Sequence, residues 1–425
     1  MKSHFVIYIP KETHESTAVS FTRVAGIPLF LRSILSLAKA GEQAFTIISP
    51  ASHRKQLIKN CQKVIKTRPI HLNFIFANQH DKISDANIKE LKECAEENVY
   101  FLNANYVFTD PKRISPVKQA GRNEICLYRS QTRRTALIGM HSSMLDELKQ
   151  AETIEQFLAN LIEIKTHHYL SDDDEGIVAQ KFMDIPLAER MLTEHIRKNT
   201  NKWVAREINK RISLPISLGL MRLRITPNTI TAINAFIGLC AGIGAAGKTY
   251  TGVLIGAILF QAASVFDGCD GEVAKLTFRT SKFGEYIDTV SDNLTLAAFL
   301  IGMMIHQRRI THSGDAYWWG AFLILGAALI LLIMTDYLRK HCNSASFFTF
   351  DKEYLQHLSP ANAPKWILAI VKIFKPLFRK DAYALMFLMF AAFGILHWWF
   401  YFITIGVWAA VMILFYLIYL RGQKT

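Results

Sequence analysis

From Ile225 onward the chain consists of long apolar runs separated by short basic loops, and no other feature limits its fold so much. Each run approaches the roughly 20 residues that an α-helix needs to cross a bilayer. Spans are expected near residues 229–247, 252–275, 283–306, 317–338, 382–397 and 400–420, an α-helical integral membrane domain of about six transmembrane helices. The fifth run is short, and His397-Trp-Trp-Phe400 reads as an interfacial aromatic turn. Positive charge collects at the entrance to the first span, around Lys275, Arg279 and Lys282, along the loop from Arg339 to Lys380, and in the tail. By the positive-inside rule these segments and both chain ends face the cytoplasm, although Arg308 and Arg309 break the pattern.

The residues before Ile225 mix charged and apolar types as soluble domains do, so the overall 51% hydrophobic content is a blend of two unlike halves. The formal charge of +14 is compatible with nucleic acid, anionic lipid or phosphorylated substrates. Many of the basic residues flank apolar runs and no recognition motif accompanies them, so nucleic acid is not an expected partner. The six cysteines show no CxxC spacing, which points to neither a zinc site nor a disulfide framework. The N-terminus reads as a strand, residues 5–9, rather than a signal peptide, so the first half is expected in the cytosol.

That half alternates strand-like segments at 5–9, 44–48, 71–76 and 99–103 with a helical stretch at 27–40. The rhythm predicts a parallel sheet with helices on its faces, a Rossmann-like α/β domain over residues 1–184. Residues 185–225 alternate arginine and lysine with leucine, isoleucine and Trp203, and are expected to be a basic amphipathic linker and interfacial helix. A solvated linker helix is the plainer alternative. The membrane domain then covers 226–425.

The chemistry concentrates between Asp267 and Asp292, across the end of the second apolar run and the start of the third. Asp267 and Asp270 are i, i+3 neighbours and share a helix face; Asp288 and Asp292 are i, i+4 neighbours on the next helix. The turn near Arg279–Lys282 lets the two helices run antiparallel, so the pairs can converge. Four buried carboxylates cannot remain ionised without cations. All-oxygen ligation favours magnesium, manganese or calcium over zinc, and two ions about 4 Å apart could clamp a pyrophosphate. Gly271 and Ala274 lie on the Asp267 face, toward the end of the same helix, and would leave room for a nucleotide. Gly284, one turn before Asp288, would let the helices approach; helix packing alone also uses glycine this way.

These residues resemble the signature of the CDP-alcohol phosphotransferase family, DxxDGxxAR, eight residues, then GxxxDxxxD. Asp267, Asp270, Gly271, Ala274, Gly284, Asp288 and Asp292 match, and Lys275 stands where the family has arginine, keeping the charge but losing the planar fork. The resemblance implies a transferase that moves a phosphoalcohol from a CDP-alcohol donor to an alcohol or phosphorylated-alcohol acceptor and releases CMP, in phospholipid or inositol-phosphodiester synthesis. It implies Mg2+ or Mn2+ in a two-metal site, with Asp267, Asp270 and Asp288 on the first ion. Asp292 would serve the second ion and act as general base. Asn228, Thr231, Gly271, Ala274, Lys275 and Gly284 would contact the nucleotide, with simple capping the alternative for Asn228 and Thr231. Arg279, Lys282, Arg339 and Arg379 are candidates for an acceptor phosphate, positive-inside topology being the alternative. Homodimers are common in the family.

The first domain resembles the nucleotidyltransferase fold more weakly, in the arrangement of the di-inositol-phosphate-phosphate synthases. Residues 10–24, where a glycine-rich phosphate loop belongs, contain no glycine, and Asn105 stands where such enzymes carry a metal-binding aspartate. This degenerate domain is expected to be silent, making no CDP-alcohol from CTP. Two competing readings are an intramembrane cation transporter and an inactive scaffold homologue. A transporter would scatter its acids near mid-bilayer, and a scaffold would not need all four aspartates.

Overall fold

Among the described residues, strands and helices alternate through the first half of the chain and only helices occur in the second, as the change in apolar patterning requires. A computed structural model describes residues 3–10, 14–77, 83–95, 97–109, 124–130, 134–151, 153–164, 166–169, 176–200, 202–341 and 380–422. The chain divides into two units, Met1–Asn199 and Thr200–Thr425.

In the first unit, β1 (Ser3–Tyr8) is followed by α1 (His14–Phe21), the short strands β2 (Arg23–Val24) and β3 (Ile27–Pro28), and α2 (Leu29–Lys39). Then come β4 (Ala44–Pro50), α3 (Arg54–Thr67), β5 (His71–Ala77), α4 (Asp85–Cys94), β6 (Asn98–Asn103) and β7 (Tyr106–Val107). The unit closes with β8 (Glu124–Arg129), β9 (Thr135–His141), α5 (Ile154–Ile164), β10 (Thr166–Tyr169), β11 (Ile177–Val178) and α6 (Ile185–Lys198). Seven strands form one sheet in the order β10-β8-β9-β6-β1-β4-β5. Parallel pairs join β1 to β4 and β6, β4 to β5, and β8 to β10. The expected all-parallel sheet is corrected to a mixed one, because β9 runs antiparallel to β6 and β8. The connection from β8 to β9, residues 130–134, is too short for a crossover, so the two strands must reverse. Val6, Phe101, Ile138 and Met140 form a core with Ile88 and Leu91 of α4 and Phe157 and Leu161 of α5.

The expected linker 185–225 is not one element. Its first part, α6, belongs to the first unit, where Glu189 Oε1 accepts the backbone N–H of Ala25 at 3.0 Å. Its second part, a π-helical turn Ala205–Asn209 running into α7 (Lys210–Arg222), belongs to the second unit.

The second unit continues with α8 (Pro227–Ala245), α9 (Tyr250–Leu276), α10 (Lys282–Thr311), α11 (Asp315–His341), α12 (Lys380–Ala392) and α13 (Leu396–Gly422). Hydroxyl caps start three of them: Thr226 accepts from Thr229 N, Thr249 from Gly252 N and Ser281 from Gly284 N. Pro227 occupies the first turn of α8, where its missing N–H costs nothing. Phe278 takes a left-handed φ of 54° to end α9, and Arg279 N bonds back to Ala274 O, a Schellman closure achieved without glycine.

Five helices among the described residues are long and apolar enough to cross a membrane: α8, α9, α10 and the apolar stretches of α11 and α13. Their apolar windows are only 22–44% buried, so most of that surface faces outward, as lipid contact requires. The chain is a multi-pass membrane protein. The sixth expected span, at 382–397, corresponds to α12, whose described part of 13 residues reaches about 20 Å against a core of about 30 Å. α12 ends at Ala392 and α13 starts at Leu396, so the chain turns before the aromatic residues 398–400 and not at them. α8 packs on both α9 and α10 through small residues. A side chain at Gly238 would run into Thr295, and one at Gly256 into the backbone of Gly244 and Ala245. Phe260, Phe299 and Phe387 form the aromatic centre of this unit.

Candidate active site

Helices α8, α9, α10 and α12 bring a polar cluster together. α9 supplies Asp267 and Asp270, α10 supplies Asp288 and Asp292, and the carboxylate oxygens of Asp267, Asp288 and Asp292 lie within 4.8 Å of one another. The two expected pairs do converge, but the close trio leaves out Asp270. That side chain is buried, and its oxygens are occupied: Thr231 Oγ1 donates to Oδ2 at 2.5 Å and the backbone N–H of Gly271 to Oδ1 at 2.5 Å.

Asp267 Oδ1 accepts from Asn234 Nδ2 at 3.2 Å and from Lys380 Nζ at 3.0 Å. Lys380 also donates to Asp292 Oδ1. Among the described residues, Asp288 Oδ1 is buried without a hydrogen-bond partner, and so are Asn234 Oδ1 on α8 and Ser291 Oγ on α10. Buried polar atoms nearly always have partners, so an orphaned carboxylate oxygen next to two further carboxylates fits a hard cation with oxygen ligands. Asp267, Asp288 and Asp292 could hold such an ion.

The other sequence candidates fall as follows. Thr231 faces the cluster through Asp270, and Asn228 Oδ1 lies 3.7 Å from where a Cβ on Gly284 would be. That is an ordinary contact distance; the nearest atom to such a Cβ is Ser281 Oγ of the same helix at 3.1 Å, and no described atom of α9 comes within 4 Å, so the expected role of Gly284 in the approach of α9 to α10 is not seen. A Cβ on Gly271 would meet nothing within 4 Å, so that position borders open space beside Asp270. Ala274 is half-buried, and Lys275 is exposed in the last turn of α9. Arg279 and Lys282 are exposed at the α9–α10 turn. Arg339 falls near the end of α11, and Arg379 lies outside the described residues.

Three participants escaped the sequence reading. Asn234 continues the polar stripe Asn228, Thr231, Asn234 along an apolar helix, a spacing that marks one face. Lys380 was visible only as part of a basic run. Glu272, one residue past Gly271, is buried and accepts from Lys210 Nζ at 2.6 Å, Ser213 Oγ at 2.5 Å and Ser217 Oγ at 2.6 Å. It ties α7 to α9 behind the aspartates, with Asn209 Nδ2 to Ser264 O at 3.5 Å further along the seam.

The corresponding region of the first unit is arranged differently. Helix α1 occupies much of residues 10–24, and Asn105 is fully buried beneath it. Asn105 Nδ2 donates to Ser16 O at 2.8 Å, and Oδ1 accepts from Ser20 Oγ at 2.6 Å. Its backbone N–H meets Asn103 Oδ1 at 2.9 Å and its carbonyl accepts from Ala179 N at 3.0 Å. Nearby, Arg32 is buried and its guanidinium holds Val24 O and Ala25 O. Burial pushes the Arg32 guanidinium down to about 10, opposed by the charge of Glu189.

Residues 224–393 match the family described as CDP-alcohol phosphatidyltransferase. The chain is 29% identical over 173 residues to a "Bifunctional IPC transferase and DIPP synthase" of Aquifex aeolicus, covering 40% of this chain and 39% of that protein. A protein of the same name from Rubrobacter xylanophilus is 22% identical over 319 residues, 67% of this chain and 72% of that one. A phosphatidylinositol phosphate synthase of Corynebacterium glutamicum is 29% identical over 146 residues, 32% of this chain and 59% of that one. The matched stretch thus spans about two fifths of the length of the Aquifex relative.

Proposed function

We propose, taking residues 224–393 as a CDP-alcohol phosphatidyltransferase domain, that the chain transfers a phosphoalcohol from a CDP-alcohol to an acceptor hydroxyl and releases CMP. The observation that carries this reading is the trio Asp267, Asp288 and Asp292, with Asp288 Oδ1 orphaned among them. These residues would hold Mg2+ or Mn2+. A divalent ion bound there supplies positive charge for the donor diphosphate and the departing CMP.

The protein's own groups divide the remaining work. Asn234 and Thr231 fix the rotamers of Asp267 and Asp270, as partners of ligating carboxylates do. The open space at Gly271 accommodates the nucleotide, and Lys275 at the end of α9 reaches its phosphates. Asp292 takes the proton of the acceptor hydroxyl as its oxygen attacks the β-phosphorus; Lys380 engages one carboxylate oxygen and leaves the other for that proton. Arg279 and Lys282, exposed at the α9–α10 turn, suit a phosphorylated acceptor. The site and the first unit face the cytoplasm, α7 lies at the membrane surface, and the chain works as a homodimer. The first unit is silent, since α1 and Asn105 satisfy each other where a nucleotide would bind.

The test is CMP release by the purified full chain with Mg2+ or Mn2+, offered CDP-diacylglycerol and CDP-inositol separately. CMP from one of them establishes the activity and the donor class together. No CMP from any CDP-alcohol sinks the enzyme reading and leaves the scaffold.

A further inference from the structure

The charge around the aspartates is lopsided. Asp270, beside Asp288, accepts from Thr231 and from the backbone N–H of Gly271. Within the trio, Asp267 and Asp292 are bridged by one ammonium group, Lys380 Nζ, while Asp288 Oδ1 has no partner. Lys380 opens α12, its side chain is only 16% exposed, and it makes ion pairs to both acids. A lysine ammonium is a compact point charge with three donors, two of them used here. Any ion coordinated by the same two oxygens would stand directly beside it, like charge against like, in a partly buried place where screening is weak.

We infer that Lys380 is the resident cation of the Asp267–Asp292 edge, so that this centre takes one divalent ion, on the Asp288 side, in place of the two that the resemblance implies. The inference rests on reading the cluster as the metal site of a phosphotransferase. Lys380 then has two duties. It keeps Asp267 and Asp292 from repelling each other before metal arrives, and it presents a fixed positive charge, with an N–H to spare, to the phosphate oxygens of the donor. A fixed ammonium does not wash out with chelator, so removing metal removes only part of the positive charge.

The experiment counts Mn2+ bound to the full chain in detergent by electron paramagnetic resonance, with thermal unfolding as the check on folding. The wild type is expected to bind one Mn2+ per chain. Lys380→Met should bind two, while Lys380→Arg and a distant exposed control, Lys248→Met, should each stay at one. Two Mn2+ in the wild type overturn the inference without recourse to any variant, and so does a folded Lys380→Met that still binds one. No Mn2+ at all overturns both the inference and the metal reading beneath it. One bound Mn2+ with no CMP release leaves the inference standing and sinks the activity.

Discussion

The acids of the membrane unit and the asparagine of the first unit stand at positions where the two family resemblances each imply a metal-binding aspartate. They are finished in opposite ways. Around Asn105 the backbone N–H, the carbonyl, Oδ1 and Nδ2 each have a protein partner. Around Asp288, Lys380 pairs with only two of the four carboxylates, Asp267 and Asp292, and among the described residues Asp288 Oδ1 is buried without a partner. Burying unpaired charge costs several kcal/mol, and the folding of the bundle must offset it. A chain keeps such a cost where a ligand will complete the set, and loses it where none comes. The comparison teaches that the satisfaction of the polar groups, more than the fold, distinguishes the two places.

The largest effect should come from Asp292→Asn. The amide keeps the shape and can still meet Lys380, but it cannot take a proton. CMP release is expected to fall by about 10²- to 10⁴-fold, the usual worth of a general base. Thermal unfolding in detergent should be unchanged or shifted upward, because one carboxylate of a mutually repelling group has gone. Activity within a few-fold of wild type would remove Asp292 from the mechanism and weaken the contrast between the two regions.

Thr231→Val should have an intermediate effect. It preserves volume and deletes the hydroxyl that donates to Asp270 Oδ2. Outer-shell partners of ligating groups typically contribute 10- to 100-fold in metal affinity, so the Mn2+ concentration giving half-maximal CMP release should rise by about tenfold or more. An unchanged metal requirement would mean that Asp270 stands outside the metal centre, as its absence from the close trio would then suggest.

The sequence made the aspartates legible because their spacing is set by the helix repeat: residues three and four apart must share a face whatever surrounds them. Thr231 and Asn234 belong to the same logic, and the stripe from Asn228 could have been extended by one more step. Lys380 could not be found this way. It lies 88 residues beyond Asp292, and nothing local distinguishes a lysine that obeys membrane topology from one that turns into the bundle. Glu272 was hidden for a related reason. The basic amphipathic pattern of α7 suggests a membrane surface, yet Lys210, Ser213 and Ser217 on that helix bind a buried acid. In the first unit, apolar patterning located β1, β4, β5 and β6 within a residue or two, but strand direction depends on connection length, and so the antiparallel β9 was missed.

The smallest effect on turnover, and the one that bears most directly on the comparison, should come from Asn105→Asp. The substitution restores the aspartate that a nucleotidyltransferase would use. Here it removes the Nδ2 donor to Ser16 O and places a carboxylate oxygen against that carbonyl in a fully buried position. Leaving a buried acceptor without its donor costs about 1–3 kcal/mol, and more when the new group is charged. The first unit should therefore unfold at lower temperature, while CMP release by the membrane unit stays within about twofold, since the partners of Asn105 named above all belong to the first unit. The full chain should still release no pyrophosphate from CTP and an alcohol phosphate, because α1 fills the stretch where a phosphate loop would lie. Pyrophosphate release by this variant would show that α1 yields to nucleotide, and one residue, not a rebuilt site, would then separate the silent domain from an active one.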